Sequence, residues 1–314
     1  MRRFVIVSTT VVCLLGILGI ALSQGRSELA NPNKVIHSII GDQNEGRNLD
    51  AHGNAGNAGN GPPRGSNGIS YHGGPVMGVT TPPRIYYIWY GNWGGNSATT
   101  ILTDLANNIS GSPYFNINTS YYDSNNKHVI NSVAYGGSII DSYSRGSALS
   151  DADVQGIVTA ALTSNRLPTD VNAIYFVLTS ADVNETSGFC TTYCGWHTHG
   201  KTIAGTDIKY SFVGNPDRCP SGCEAQTIGP NGNAGADGMA SIIAHELEEA
   251  VTDPDLNAWY DQRGMENADK CAWTFGTVYT APNGAKANVL LGARNFLIQR
   301  NWVNASGGFC AMSF

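Results

Sequence analysis

All six cysteines that follow the apolar amino terminus lie between Cys190 and Cys310, and their even number constrains the fold more than any other feature. In an oxidising compartment Cys190, Cys194, Cys219, Cys223, Cys271 and Cys310 are expected to close into three disulfides, giving disulfide-stabilised loops in the second half of the chain. The two four-residue spacings, 190/194 and 219/223, also resemble paired ligands of a tetrahedral zinc, which is the competing reading. Spacing does not fix connectivity. Two local bridges plus Cys271 to Cys310 is the simplest arrangement.

The amino terminus supplies a route to such a compartment. Met1-Arg2-Arg3 leads into an apolar run from Phe4 to Leu22, followed by Ser23 and the polar Gln24-Gly25-Arg26. This order reads as a signal peptide over residues 1–23. Ser8, Thr9 and Thr10 interrupt the run, so its most apolar part falls short of the roughly 20 residues that a membrane span needs. A secreted, extracellular protein with no membrane span in its mature form is expected. Residues 24–67 are rich in Gly and Asn and poor in aromatic and β-branched side chains, a composition that cannot offset its ordering entropy, so they are expected to be a disordered leader. Residues 68–314 remain as one globular domain. A net charge of −6 with no Lys/Arg cluster excludes a nucleic-acid footprint.

Within the domain, patterning predicts a mixed α/β (α+β) fold in which helices pack on a mixed sheet. Arg84 to Tyr90, Asn131 to Ser142, Val171 to Leu178, Ile208 to Val213 and Phe296 to Trp302 read as strands. Ser97 to Ile109 has apolar residues at helical spacing, and Ser150 caps a second helix with Asp151 and Asp153 in its first turn. A third helix is expected over Asp237 to Thr252, stopped at Asp253-Pro254. The Cys-rich segment after Phe189 reads as a polar loop.

The third helix carries the chemistry. Met239, Ile243, Leu247 and Ala250 form its apolar stripe, His245 and Glu249 point together beside it, Glu246 falls inside its edge, and Glu248 points to solvent. A carboxylate where an apolar side chain belongs is costly unless something compensates it, and a metal ion would. The pattern resembles the zincin helix HExxH, in which two histidines one turn apart hold zinc and the intervening Glu is the general base, here with Glu249 in the place of the second His. Carboxylate oxygen is an acceptable zinc ligand, though a second one also makes manganese or calcium plausible. Glu266 is the preferred third ligand, with Asp269 as a partner orienting His245. Asp255 is a weaker alternative, as are His197 and His199, which as two histidines in a polar loop read as solvated.

Several segments together resemble the EXORDIUM, or phosphate-induced, family of secreted proteins. They include Tyr71-His72-Gly73-Gly74-Pro75, Ile88-Trp89-Tyr90-Gly91, Cys194-Gly195-Trp196-His197, Val213-Gly214-Asn215, Asp237-Gly238-Met239, Asn257-Ala258-Trp259-Tyr260 and Phe296-Leu297-Ile298-Gln299, in one order over about residues 70 to 310. The resemblance implies an extracellular or wall-associated protein linked to growth. It also implies the pairing of His245, Glu246 and Glu249 with a downstream Glu266 and Asp269, and it gives Asp255 no matched position. Two functions follow as expectations. One is a metallohydrolase acting on a peptide or protein, with a divalent metal (zinc first) on His245, Glu249 and Glu266 and Glu246 as base. The other is a noncatalytic extracellular or cell-wall-associated protein in growth or matrix signalling, with an extracellular matrix component as its partner.

Overall fold

The computed structural model describes residues 68–314 and the backbone of residues 35–38. The expected signal peptide and the rest of the 24–67 leader lie outside the described residues. The main elements, in chain order, are β1 (Val35–Ser38), β2 (Arg84–Tyr90), α1 (Ala98–Asn108), β3 (Ala134–Asp141), α2 (Asp151–Thr163), β4 (Ala173–Thr179), β5 (Tyr193–Lys201), β6 (Asp207–Val213) and α3 (Ala234–Thr252).

The six strands form one sheet in the order β1-β5-β6-β4-β2-β3, with β3, β2, β4 and β6 parallel and β5 antiparallel to its neighbours β6 and β1. This is the expected mixed sheet. The apolar run of β4 is buried at all seven positions, as a central strand covered on both faces must be. The chain leaves β2 through α1 to β3 and then crosses back through α2 to β4, and right-handed crossovers in opposite directions place α1 and α2 on opposite faces. The third helix packs on β5 and β6 and against α1. Ser150 accepts from Asp153 N and the Asp153 carboxylate accepts from Ser150 N, a reciprocal cap that starts α2 where the sequence places it.

The secondary structure departs from the expected pattern at four points. Part of the leader, residues 35–38, is an edge strand on β5. The expected polar loop after Phe189 contains β5, because Tyr193 to Lys201 finds two strand partners, and pairing overrides the weak local pattern of Cys, Gly and His. The third helix starts at Ala234, three residues early, because the Asn233 side chain caps it by accepting from Ala236 N at 3.0 Å. The late strand is split into Arg294–Phe296 and Asn301–Val303, since the Asn288 amide bonds both Ile298 N and Ile298 O and replaces a ladder partner there.

The cysteines form three disulfides, but the two upstream bridges are not local: Cys190 joins Cys219 and Cys194 joins Cys223. Cys219 and Cys223 stand one helical turn apart, where Cβ atoms lie about 5–6 Å from each other, beyond the ~3.8 Å that a bridge needs. Both sulfurs therefore reach across to the segment entering β5. The third bridge, Cys271–Cys310, pins a 3₁₀ turn over Asp269–Cys271 to the last hairpin. Among the described residues no helix is long and apolar enough to cross a membrane. Peptide mapping without reduction should recover the pairs 190–219, 194–223 and 271–310. Replacing Cys271 and Cys310 together with Ser should lower unfolding free energy in urea by about 2–5 kcal/mol; an unchanged midpoint would mean that the third bridge staples nothing.

Candidate metal centre

Seventeen of the nineteen residues of α3 are buried, so the helix has no solvated face on which to carry its acidic side chains. Each of them therefore needs a partner inside the protein. Asp237, in the first turn, accepts from Asn231 N at 2.9 Å and Asn231 Nδ2 at 2.6 Å. Glu248, expected in solvent, is fully buried because the segment around Asn301 folds over that side of the helix; its Oε2 accepts from Asn301 Nδ2 at 2.7 Å. His245, Glu246 and Glu249 face β5 and the turn that follows Met265.

Alternation along β5 puts Gly195 and His197 on one face, toward α3. A Cβ on Gly195 would stand 2.6 Å from Ile242 Cγ2 and 3.1 Å from Glu246 Oε1, so only glycine lets the helix approach this closely. That approach seats Glu246 beside His197. From the other side, residues 266–269 are knitted onto the helix: Asn267 Nδ2 donates to Glu248 O at 3.2 Å, and Asp269 N donates to Glu249 Oε1 at 3.0 Å.

The result is a buried cluster of two imidazoles and four carboxylates. His245 Nε2 lies 3.0 Å from Glu249 Oε1 and 3.4 Å from Asp269 Oδ1, while its Nδ1 contacts the Gln299 side-chain amide. His197 Nε2 lies 2.8 Å from Glu266 Oε2 and 3.6 Å from Glu249 Oε2. Neither carboxylate oxygen of Glu246 has a hydrogen-bond partner, nor do Glu249 Oε2, Glu266 Oε1 or His197 Nδ1. Burial pushes the carboxyls of Glu246 and Glu266 well above the ordinary range and that of Glu249 up to about 7. Burial, reinforced by His245, drives the His197 imidazole down to about 3. The charged His245 ring is disfavoured by burial too, but Glu249 and Asp269 outweigh that and raise it. Nitrogen and oxygen donors with unmet lone pairs in a dry interior fit a divalent cation of the zinc or manganese kind.

The structure thus brings together His245, Glu246, Glu249, Glu266 and Asp269, with changed parts. Asp269, expected to stand behind His245, faces the same Nε2 as Glu249 does, and Glu266 meets His197 instead. The amide behind the His245 ring is that of Gln299, which the sequence reading left without a role. His197, read as solvated, is fully buried in the cluster. The signal for it was the alternation of Gly195 and His197 with Trp196 and Thr198, which marks a strand face. His199 and Asp255 lie apart with Asp207, where Lys209 Nζ is 2.8 Å from Asp255 Oδ1.

Residues 69–295 match the phosphate-induced protein 1 conserved region. The chain belongs to this family. It is 32% identical over 274 residues to Protein EXORDIUM-like 5 of Arabidopsis thaliana, covering 74% of this chain and 75% of that protein. Protein EXORDIUM-like 3 of the same plant is 33% identical over 273 residues, covering 74% and 80%. Protein PHOSPHATE-INDUCED 1 of Nicotiana tabacum is 25% identical over 234 residues, covering 65% and 71%. No solved structure matches. The family region spans every member of the cluster from His197 to Asp269, and Gln299 lies four residues beyond it.

Without a cation the raised carboxyls favour the folded state when protonated. Their stability is present below the ordinary glutamate value of 4.5 and is lost as pH rises through about 7 for Glu249 and through the raised values of Glu246 and Glu266. His245, also raised, acts in the same sense, and only His197 opposes them, losing stability as pH falls from 6.5 toward about 3. Chelator-stripped protein should accordingly melt at a lower temperature at pH 8 than at pH 5, and zinc added at pH 8 should reverse the loss, because the cation takes the place of the protons. Melting curves at pH 8 that are indifferent to both chelator and zinc would contradict a cation-binding cluster.

Proposed function

We propose that this member of the phosphate-induced protein 1 family is a secreted, extracellular metalloprotein whose buried centre serves hydrolysis of a peptide or protein substrate. One observation carries the reading: Glu246 is 0% exposed, and both of its oxygens lack a hydrogen-bond partner beside two imidazoles and three further carboxylates. An arrangement of that cost persists when a cation compensates it. His245, Glu249 and Asp269 are the residues that would hold the ion, and a divalent cation there supplies Lewis acidity toward water and a scissile carbonyl. The Gln299 amide fixes the orientation of the His245 ring. Glu246, one residue along the helix and free of other bonds, is the group to accept the proton of a water molecule. Export is supported by the amino-terminal Arg-Arg and apolar run and by three disulfides.

A second reading rests on burial. Of the cluster, Asp269 is 6% exposed and the others 1% or less, so a substrate reaches the centre only if the chain around it opens. Left closed, the ion would be a structural staple joining α3 to β5 and the carboxy-terminal half, in a noncatalytic protein that meets an extracellular matrix component.

The glutamate separates the readings. Glu246→Gln keeps size and hydrogen bonding but removes the base, so it should retain bound metal and abolish cleavage of a peptide library. His245→Ala should shed metal and lower the melting temperature. Metal-loaded wild-type protein that cleaves no peptide supports the structural staple. Protein that carries no divalent metal after export, and gains no thermal stability from zinc, manganese or calcium, overturns both.

A further inference from the structure

The cluster holds more donors than one cation uses, and they divide at Glu249. Its Oε1 faces His245 Nε2 at 3.0 Å and accepts from Asp269 N, while its Oε2 faces His197 Nε2 at 3.6 Å and has no hydrogen-bond partner. Glu266 Oε2 stands 2.8 Å from the same His197 nitrogen, and its Oε1 is also without a partner. Each half of the cluster therefore has one imidazole, one carboxylate of its own and one oxygen of Glu249. Ligand atoms of His245, Glu249 and Asp269 lie within 4.8 Å of one another, as do those of His197, Glu246 and Glu249, and Glu266 joins the second group through its contact with His197 alone.

Charge points the same way. Glu246, Glu249, Glu266 and Asp269 are the buried carboxylates of the cluster, whereas Asp253, next to Glu266, is answered by Asn257 N and Ala258 N. When all four of the cluster are ionised, a single divalent cation leaves two of those charges uncompensated in a dry interior. Two divalent cations balance them. We infer that the centre is dinuclear: a second divalent cation is held by His197, Glu249 and Glu266, with Glu249 bridging the pair through one oxygen to each ion. This inference rests on the metal reading of the same cluster. A pair of cations held there would supply a shared site for a substrate oxygen or a water molecule. Glu246, in the same group as His197 and Glu249 and bonded to neither, is left facing the pair. The donor set of imidazole and carboxylate suits zinc or manganese at both positions.

Manganese serves as the probe because coupled and isolated ions differ in electron paramagnetic resonance. Full-length secreted protein, stripped by chelator and titrated with Mn²⁺, should bind two equivalents and show an exchange-coupled spectrum. His197→Ala should bind one equivalent and show an isolated-ion spectrum, and Glu266→Gln should weaken the second equivalent at least tenfold. His199→Ala, outside the cluster, should still bind two. One equivalent in wild type with an uncoupled spectrum would overturn the second site while leaving the single-ion reading intact, and no bound manganese or zinc at all would overturn both. Should His197→Ala fail to fold, the wild-type stoichiometry and coupling decide the question alone.

Discussion

The interior of this protein is organised around carboxylates that have no water. A helix buried along nearly its whole length carries Glu246, Glu248 and Glu249, and each must be answered by a donor, a proton or a cation. Glu248 is answered at one oxygen by the amide of Asn301, which the last hairpin brings over α3, and burial raises its carboxyl as well. Glu246 is not answered by any hydrogen bond and Glu249 only at Oε1, which accepts from Asp269 N, and the two imidazoles beside them are pulled in opposite directions, His245 toward its protonated form and His197 toward its neutral one. A bound cation, as proposed, would resolve that conflict without protons. The rest of the second half of the chain can be read as what holds these groups at that separation.

Three covalent ties serve this end. Two disulfides, each closing 29 positions of sequence, fix the start of β5 to the segment that leads into α3, so the strand bearing His197 and the helix bearing His245 cannot drift apart. The third anchors the turn that begins at Asp269. Gly195 then sets how closely the helix lies on the strand. The parallel strands and α1 and α2 form a conventional scaffold on which the hairpin β5/β6 and α3 are mounted.

Much of that scaffold was legible in the sequence, because its signals are local. Ser150 with Asp153, the apolar spacing in α1 and the unbroken run in β4 each fix an element from its own residues. The HExxE helix was legible for the same reason, including the anomaly of Glu246 on an apolar edge. What escaped depends on distant partners. Glu248 looks solvated on a helical wheel because nothing in α3 records that Asn301 will cover it. Likewise, β5 looks like a loop because its order comes from β6 and β1, and His197 was lost with it. Six cysteines predict three bridges, but the choice of partners depends on two segments meeting face to face. Exchanging Glu266 for Asp269 at the His245 side turns on the path of a three-residue turn, below the resolution of any sequence pattern.

Whether a divalent cation compensates the charge buried on α3 is tested by anomalous scattering at the zinc and manganese edges from a crystal of protein purified from a secreting host. The account predicts an anomalous peak among His245 Nε2, Glu249 and Asp269, with the carboxylate oxygens drawn to roughly 2.0–2.2 Å from it. An ordered map with no anomalous peak, in which Glu246, Glu249 and Glu266 bond to one another through shared protons, would contradict it.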